Sequence, residues 1–194
     1  MNRLLCIVLL LVSPVLMAGD IEEPSWELID KLDQVELRLY APSIQAVTEL
    51  GSSAGTSSGF RLLAGYIFGG NERAQSIAMT APVQETLEKT RPMMAFTLPS
   101  EYSMEELPAP NDQRVSLVEV PQRTVAALRF SGWATGGKVA RMQRKLLATL
   151  EQHGIQPVGT PVLNQYNPPW TAPFLRRNEV SIEIALAGDL AAAQ

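Results

Sequence analysis

The chain has 194 residues with 16 basic and 20 acidic side chains, a net charge of −4 at pH 7. This length suits one ordinary domain with its own core. The acidic balance argues against nucleic-acid binding, which needs clustered cations to displace counterions from phosphates. One histidine and one cysteine also leave too few ligands for the common zinc sites.

Residues 1–18 predict a cleavable export signal. Arg3 precedes an apolar run over residues 4–12, and Ala18 supplies a small residue where a signal peptidase cuts. The run is shorter than the about 20 residues that span a bilayer. We therefore expect a periplasmic or secreted protein, with an uncleaved anchor as the alternative because Leu16 is large for the cleavage site.

Cleavage of the signal determines which residues the exported protein keeps. It removes Cys6, the single cysteine, so disulfides, cysteine-bound metals and cysteine nucleophiles are excluded from the exported protein. We expect one domain over residues 19–185. An alanine-rich tail over residues 186–194 is expected to fray.

The first half of that domain predicts two strands, a helix and two further strands. Phe60, Leu63 and Ile67 recur at i, i+3 and i+7, the spacing of a helix face, and Gly69-Gly70-Asn71 ends the run. Ala41-Pro42 interrupts the second strand. The four predicted strands cover residues 26–33, 35–50, 77–86 and 93–98.

The second half repeats this order. Its helix carries Val139, Met142, Leu146 and Leu150 on one face and ends at His153-Gly154, where a basic side chain suits the helix dipole. The predicted strands cover residues 115–120, 124–131, 161–166 and 179–184. The repeat predicts an α+β fold with pseudo-twofold symmetry, in which two antiparallel ββαββ sheets, each backed by a helix, leave a groove where they meet.

Few residues carry the chemistry of an active site. The sequence lacks the Gly-x-Ser-x-Gly elbow of a serine hydrolase. The catalytic triad also needs a histidine, and the single one, His153, is assigned to the helix end. Glu179 begins a strand shortly after Arg176-Arg177, so an ion pair with one of these arginines is the plainer interpretation. The alternative is a carboxylate in the groove that holds a cationic ligand or acts as a general acid or base.

Several segments resemble the SOUL haem-binding family in the same order and at consistent spacing. The likeness runs from about Trp26 to Ile184, nearly the whole exported chain. The matching segments are Phe60–Asn71, Ile77–Val83, Thr97–Tyr102, Leu107–Asp112, Tyr166–Thr171 and Phe174–Val180.

The resemblance implies a distorted antiparallel barrel with two helices that binds haem or a related tetrapyrrole without catalysis. An apolar cleft beside the first helix would hold the ligand, and Arg61 or Arg73 would meet its propionates. One branch of the family has a histidine iron ligand where this chain has Leu39, so haem would be held here without it, or by a methionine or tyrosine elsewhere. The candidate ligand-binding residues are Phe60, Arg61, Leu63, Ile67, Arg73, Met79 and Glu179.

The fold also resembles the effector-binding domains of bacterial drug-responsive regulators, which capture cationic aromatic compounds with a carboxylate. Glu179 would take that part in a pocket for an amphipathic or cationic molecule. Some relatives with this fold are hydrolases, which leaves a third function open, although analogy between folds is weak grounds for function.

Overall fold

The computed structural model describes residues 21–51 and 55–185. The predicted export signal over residues 1–18 and the predicted tail over residues 186–194 lie outside this part of the chain. Within it, neither helix has the length and apolar character needed to cross a membrane.

Nine strands, two α-helices and one turn of 3-10 helix (Pro173–Leu175) follow one another along the described residues. The predicted strand over residues 35–50 is two strands, because Pro42 cannot continue the ladder and the chain turns there. The predicted strand over residues 77–86 is reduced to its last four residues. The elements are β1 (Trp26–Leu32), β2 (Val35–Tyr40), β3 (Ser43–Glu49), α1 (Gly55–Ile67), β4 (Val83–Thr86), β5 (Met93–Thr97), β6 (Ser116–Val120), β7 (Arg123–Phe130), α2 (Gly136–Gln152), β8 (Gln156–Gln165) and β9 (Asn178–Ala185).

All nine strands form one antiparallel sheet in the order β1-β2-β7-β9-β8-β4-β5-β3-β6. The two predicted antiparallel sheets are one continuous sheet, because β4 and β8 pair and join the two halves. Without β1, this order is symmetric about its centre. The strands β4 and β8 are central, β5 and β9 flank them, β3 and β7 come next, and β2 and β6 lie at the two ends. This symmetry confirms the predicted ββαββ repeat and places its axis between β4 and β8. It also corrects the first unit, because the predicted strand over residues 26–33 is β1 and lies outside the repeat, whereas residues 35–50 supply both β2 and β3.

Each helix covers its own hydrophobic core on one face of the sheet. Leu63 and Ile67 of α1 are fully buried against residues of β3 and β5, whereas Leu146 and Leu150 of α2 are fully buried against residues of β7 and β9. His153 is the C-cap residue of α2, as predicted. The helical stripes read from the sequence thus face the core.

The opposite face of the sheet is polar. A chain of side-chain hydrogen bonds on this face crosses the pseudo-twofold axis. Gln45 Nε2 donates to Gln84 Oε1 at 2.9 Å, and Gln84 Nε2 donates to Asn164 Oδ1 at 3.1 Å. Asn164 Nδ2 then donates to Ser181 Oγ at 2.8 Å. Because these groups satisfy one another, they can be largely buried without a large desolvation cost.

Candidate functional site

A groove of about 830 Å³ lies where the two halves meet, on the helical face of the sheet. This volume is within the range of about 300 to 1,000 Å³ that is typical of small-molecule sites. Its walls are the first turns of α1, the residues just before α2 and the loop after β8. The lining residues are Thr56, Ser57, Phe60, Arg61, Val83, Met94, Trp133, Ala134, Thr135, Gln165, Asn167, Pro169 and Arg176.

Aromatic side chains from the two halves give the groove its apolar surface. Phe60 begins the apolar stripe of α1 but is 41% exposed, and its ring meets the Phe96 ring at a centroid distance of 5.3 Å. Trp133 is 55% exposed and faces the same groove from the other half. An exposed pair of aromatic rings in a concave site is typical of a surface that binds a flat apolar molecule.

Two guanidinium groups lie at the groove. Arg61 is exposed on the second turn of α1. Arg176 stacks on the Trp133 ring at 3.9 Å, while its Nε donates to Thr171 O at 3.0 Å and its Nη2 donates to Pro169 O. Arg176 is 7% exposed, and these contacts hold its cation in a defined position that leaves Nη1 to pair with an anionic group of a ligand.

The structure brings only two of the sequence-predicted ligand residues, Phe60 and Arg61, into the groove. Leu63 and Ile67 are instead fully buried core residues. The apolar spacing of α1 could not distinguish them from Phe60, because core and groove share one helix face.

The predicted residues Arg73 and Met79 also lie away from the groove. Arg73 comes after the C-terminal end of α1, where its Nη1 donates to Glu106 O at 3.0 Å. Met79 is half-buried and packs against the core beneath α1. Met94 lines the groove in its place, yet its side chain is fully buried.

The sequence interpretation missed Trp133 and Arg176 as groove residues. An exposed tryptophan just before a helix was one signal for the first. Arg176 could also have been predicted, since it belongs to the Phe174–Val180 segment that carried the family resemblance.

Glu179 lies on the opposite, polar face of the sheet. Along β9, Val180 and Ile182 pack in the core under α2, so the alternating Glu179 and Ser181 point the other way. The Glu179 side chain is 4% exposed. Glu179 therefore cannot act in the groove between the helices.

The partner of Glu179 is Arg38 of β2, which corrects the predicted ion pair with Arg176 or Arg177. Arg38 Nη1 donates to Glu179 Oε2 at 2.8 Å and Nη2 donates to Oε1 at 3.2 Å. The Tyr166 hydroxyl donates to Glu179 Oε2 at 2.9 Å.

Arg38 is held by further contacts on the same face. Its Nη2 donates to Glu36 Oε2 at 2.7 Å, and its guanidinium lies 4.3 Å from the Trp26 ring centroid. Its pKa is raised, since burial opposes the charge but the hydrogen bonds to Glu179 and Glu36 outweigh it. Lys31 Nζ also lies 3.7 Å from Glu36 Oε1, so two cations balance the two carboxylates and the cluster offers no unpaired charge to a ligand.

Burial, and after it the nearby Glu179 carboxylate, raise the pKa of the Tyr166 hydroxyl. Burial also raises the pKa of Tyr40. Both phenols are therefore neutral hydrogen-bonding groups at neutral pH.

Three other observations bear on ligands. Leu39, at the position of the family's histidine, is outside the groove lining. A separate depression of about 650 Å³ between residues 22–25 and 97–100 has Glu22, Glu23 and Glu119 in its lining and no basic side chain. That depression does not suit an anionic ligand. The described residues contain no cluster of three or more His, Cys, Asp or Glu side chains that could hold a metal ion.

A pseudo-symmetric α+β sheet with a ligand-sized groove at its axis defines the structural class of this protein. The chain belongs to the SOUL heme-binding protein family, which matches residues 21–183. This match confirms the family predicted from the sequence segments.

Related proteins agree with the family and the fold. Heme-binding protein 2 of Mus musculus is 28% identical over 180 residues, covering 82% of this chain and 84% of the mouse protein. The C-terminal domain of EcmrR has a TM-score of 0.61 at 11% identity and covers 78% of this chain and 97% of that domain. A hydrolase from Listeria innocua has a TM-score of 0.60 at 10% identity and covers 81% of this chain and 94% of its own. At such low identity these two structures show the shared fold alone.

Proposed function

We propose that the protein binds haem or a related tetrapyrrole in the groove between α1 and α2 and catalyses no reaction on it. Support comes from the family match and from the name of the mouse relative. The observation that carries the proposal is the pairing of apolar rings with two guanidinium groups in one groove. A flat apolar ligand with carboxylates at its edge needs both.

The residues present fit such a ligand. Phe60 and Trp133 would supply apolar contact, and Arg61 and Arg176 would pair with propionates through charge-assisted hydrogen bonds. Haem would contribute iron with open coordination positions. The groove itself offers the iron no histidine, and the thioether of Met94 is fully buried. Binding should therefore depend on shape and charge, not on coordination by the protein.

We further propose that binding takes place outside the cytoplasm, as the sequence of residues 1–18 suggests. There the protein would scavenge, buffer or pass on its ligand. Fractionation of cells that express the full chain tests the location, and recovery of the protein in the cytoplasmic fraction would contradict it.

Titration with haemin and with iron-free protoporphyrin IX tests the binding proposal. We expect a Soret shift and tryptophan quenching at micromolar haemin, and similar affinities for both porphyrins because no protein ligand holds the iron. Arg61→Gln should weaken binding about tenfold through loss of one charged hydrogen bond. The matched control is Arg73→Gln, which removes an arginine beyond the far end of α1 and should have no effect. Absence of binding, or equal loss in both variants, would overturn the proposal.

A cationic ligand held by Glu179 has less support, since that carboxylate already accepts hydrogen bonds from Arg38 and Tyr166. A hydrolase function rests on fold similarity alone, which is compatible with many activities.

A further inference from the structure

The net charge of −4 hides a strong segregation of charge along the chain. Between residues 120 and 178 the sequence has eight basic side chains and one acidic side chain, Glu151. The basic residues are Arg123, Arg129, Lys138, Arg141, Arg144, Lys145, Arg176 and Arg177. The rest of the chain is correspondingly acidic.

Four of these basic residues lie on α2, where they do not help the helix. Lys138 is in the first turn, which the helix dipole disfavours for a cation. Arg141 is three residues from Arg144 and four from Lys145, so like charges are neighbours on the helix surface. Arg141, Arg144 and Lys145 are exposed. Among the ion pairs of the described residues, none includes a side chain of α2. Lys145 Nζ donates to Gln34 Oε1, whereas the side chains of Arg141 and Arg144 make no hydrogen bond or ion pair with the described residues.

The loop after β8 carries three of the four most exposed large apolar side chains of the described residues. Trp170 is 84% exposed, Phe174 is 78% exposed and Leu175 is 65% exposed. The loop is ordered by backbone hydrogen bonds from Thr171 N to Pro168 O at 3.1 Å and from Leu175 N to Ala172 O at 3.0 Å. It therefore presents these side chains to the exterior in a fixed arrangement.

The loop and the start of α2 are directly connected. Gly132 N donates to Pro173 O at 2.9 Å, and Arg176 stacks on Trp133 at 3.9 Å. Lys138 Nζ in turn donates to Ser131 O. The loop therefore adjoins the first turn of α2, and the next turns of this helix carry the exposed Arg141, Arg144 and Lys145. We call the loop and these turns together the loop–α2 surface.

We propose that this surface docks on a lipid bilayer with anionic headgroups. The negative surface potential of such a bilayer attracts cations, and Trp, Phe and Leu side chains insert at its interface. A nucleic acid would also attract the cations, and tryptophan could stack on its bases. Leu175 and Phe174 on a proline-stiffened loop favour the bilayer, because a leucine gains nothing from phosphates or stacking.

Flotation with phosphatidylcholine vesicles, with and without 30% phosphatidylglycerol, tests the proposal on the full exported protein in the absence of haem. We expect binding to the anionic vesicles alone, weakened by added salt. Each basic side chain near the surface contributes roughly fivefold. The triple variant Arg141→Gln, Arg144→Gln, Lys145→Gln should therefore bind on the order of a hundredfold more weakly. The matched control is Lys31→Gln, Lys89→Gln, Arg91→Gln, which removes three exposed cations outside residues 120–178 and should bind like the wild type.

Fluorescence separates bilayer insertion from simple attraction between charges. Vesicle binding should shift the tryptophan emission to the blue, and Trp170→Phe should remove most of that shift. Equal binding by the two triple variants would overturn the proposal. So would binding to single-stranded DNA as tight as to anionic vesicles, or an unchanged blue shift in Trp170→Phe. The result does not depend on porphyrin binding, because no porphyrin is present.

Discussion

Arg38 and Glu179 are 141 residues apart in the chain, yet they form a two-point ion pair buried on the polar face of the sheet, with Nη1 2.8 Å from Oε2. Both side chains are 4% exposed. The pair connects β2 to β9 across β7, the strand that lies between them in the sheet. It links the start of the first half to the end of the second.

Removal of one partner should be costly, since the remaining charge is buried without full compensation. We expect Glu179→Gln to lower the free energy of unfolding by about 3 kcal/mol in urea denaturation. Glu183→Gln on the same strand is the matched control. Glu183 is exposed and 4.0 Å from Arg123, so its loss should cost less than about 0.5 kcal/mol. Similar stability in the two variants would show that the buried pair adds little.

The hydroxyl of Tyr166 should make stability depend on alkaline pH. Its pKa is raised above the ordinary value of 10.0, so above pH 10 the unfolded chain loses a proton that the folded protein keeps. The stability present below pH 10 is then lost as the pH rises. Tyr166→Phe should lose less unfolding free energy than the wild type between pH 9 and 11. Parallel pH curves for the two proteins would contradict this account.

Gly70 is required by a close approach of two backbone segments. A Cβ atom at this position would lie 2.5 Å from the carbonyl oxygen of Gly65, which cannot move freely because it accepts a hydrogen bond from Gly70 N at 2.8 Å. We expect Gly70→Ala to destabilise the protein by about 2 kcal/mol in thermal unfolding.

Gly65→Ala is the matched control for that variant. A Cβ atom at Gly65 has no neighbour within 4 Å, and alanine favours the helix. This variant should gain up to about 1 kcal/mol. A loss of stability in Gly65→Ala would show that α1 is more crowded there than the structure indicates.

Phe60 should contribute to ligand binding in a way that Phe68 does not. Both rings are exposed on or just after α1, but only Phe60 lines the groove. We expect Phe60→Ala to weaken haemin binding about tenfold, which corresponds to loss of roughly half of a buried aromatic contact. Phe68→Ala should leave the titration unchanged. Equal effects would place the porphyrin elsewhere.

Local patterns in the sequence predicted the helices and most strands, because apolar spacing reports which face of an element is buried. They also revealed the ββαββ repeat. They could not reveal that β4 pairs with β8, since both strands are equally consistent with two separate sheets. Strand partners depend on contacts between distant segments, which periodicity does not encode.

The candidate site was harder to predict for the same reason. Leu63 and Phe60 share one helical stripe, and only the position of Trp133 from the other half shows where the core ends and the groove begins. The partner of Glu179 was similarly hidden. Arg176 and Arg177 are nearest in sequence, but the β9 pleat points Glu179 to the face on which Arg38 lies.

The pseudo-symmetric order of the strands has a consequence for the orientation of a ligand in the groove. Two identical ββαββ units would build a groove with matching walls, and a ligand could then enter it in either of two orientations. Here the units have diverged, so that one wall presents Phe60 and Arg61 while the other presents Trp133 and Arg176. The groove therefore has two distinguishable ends, which would give an asymmetric ligand a single preferred orientation.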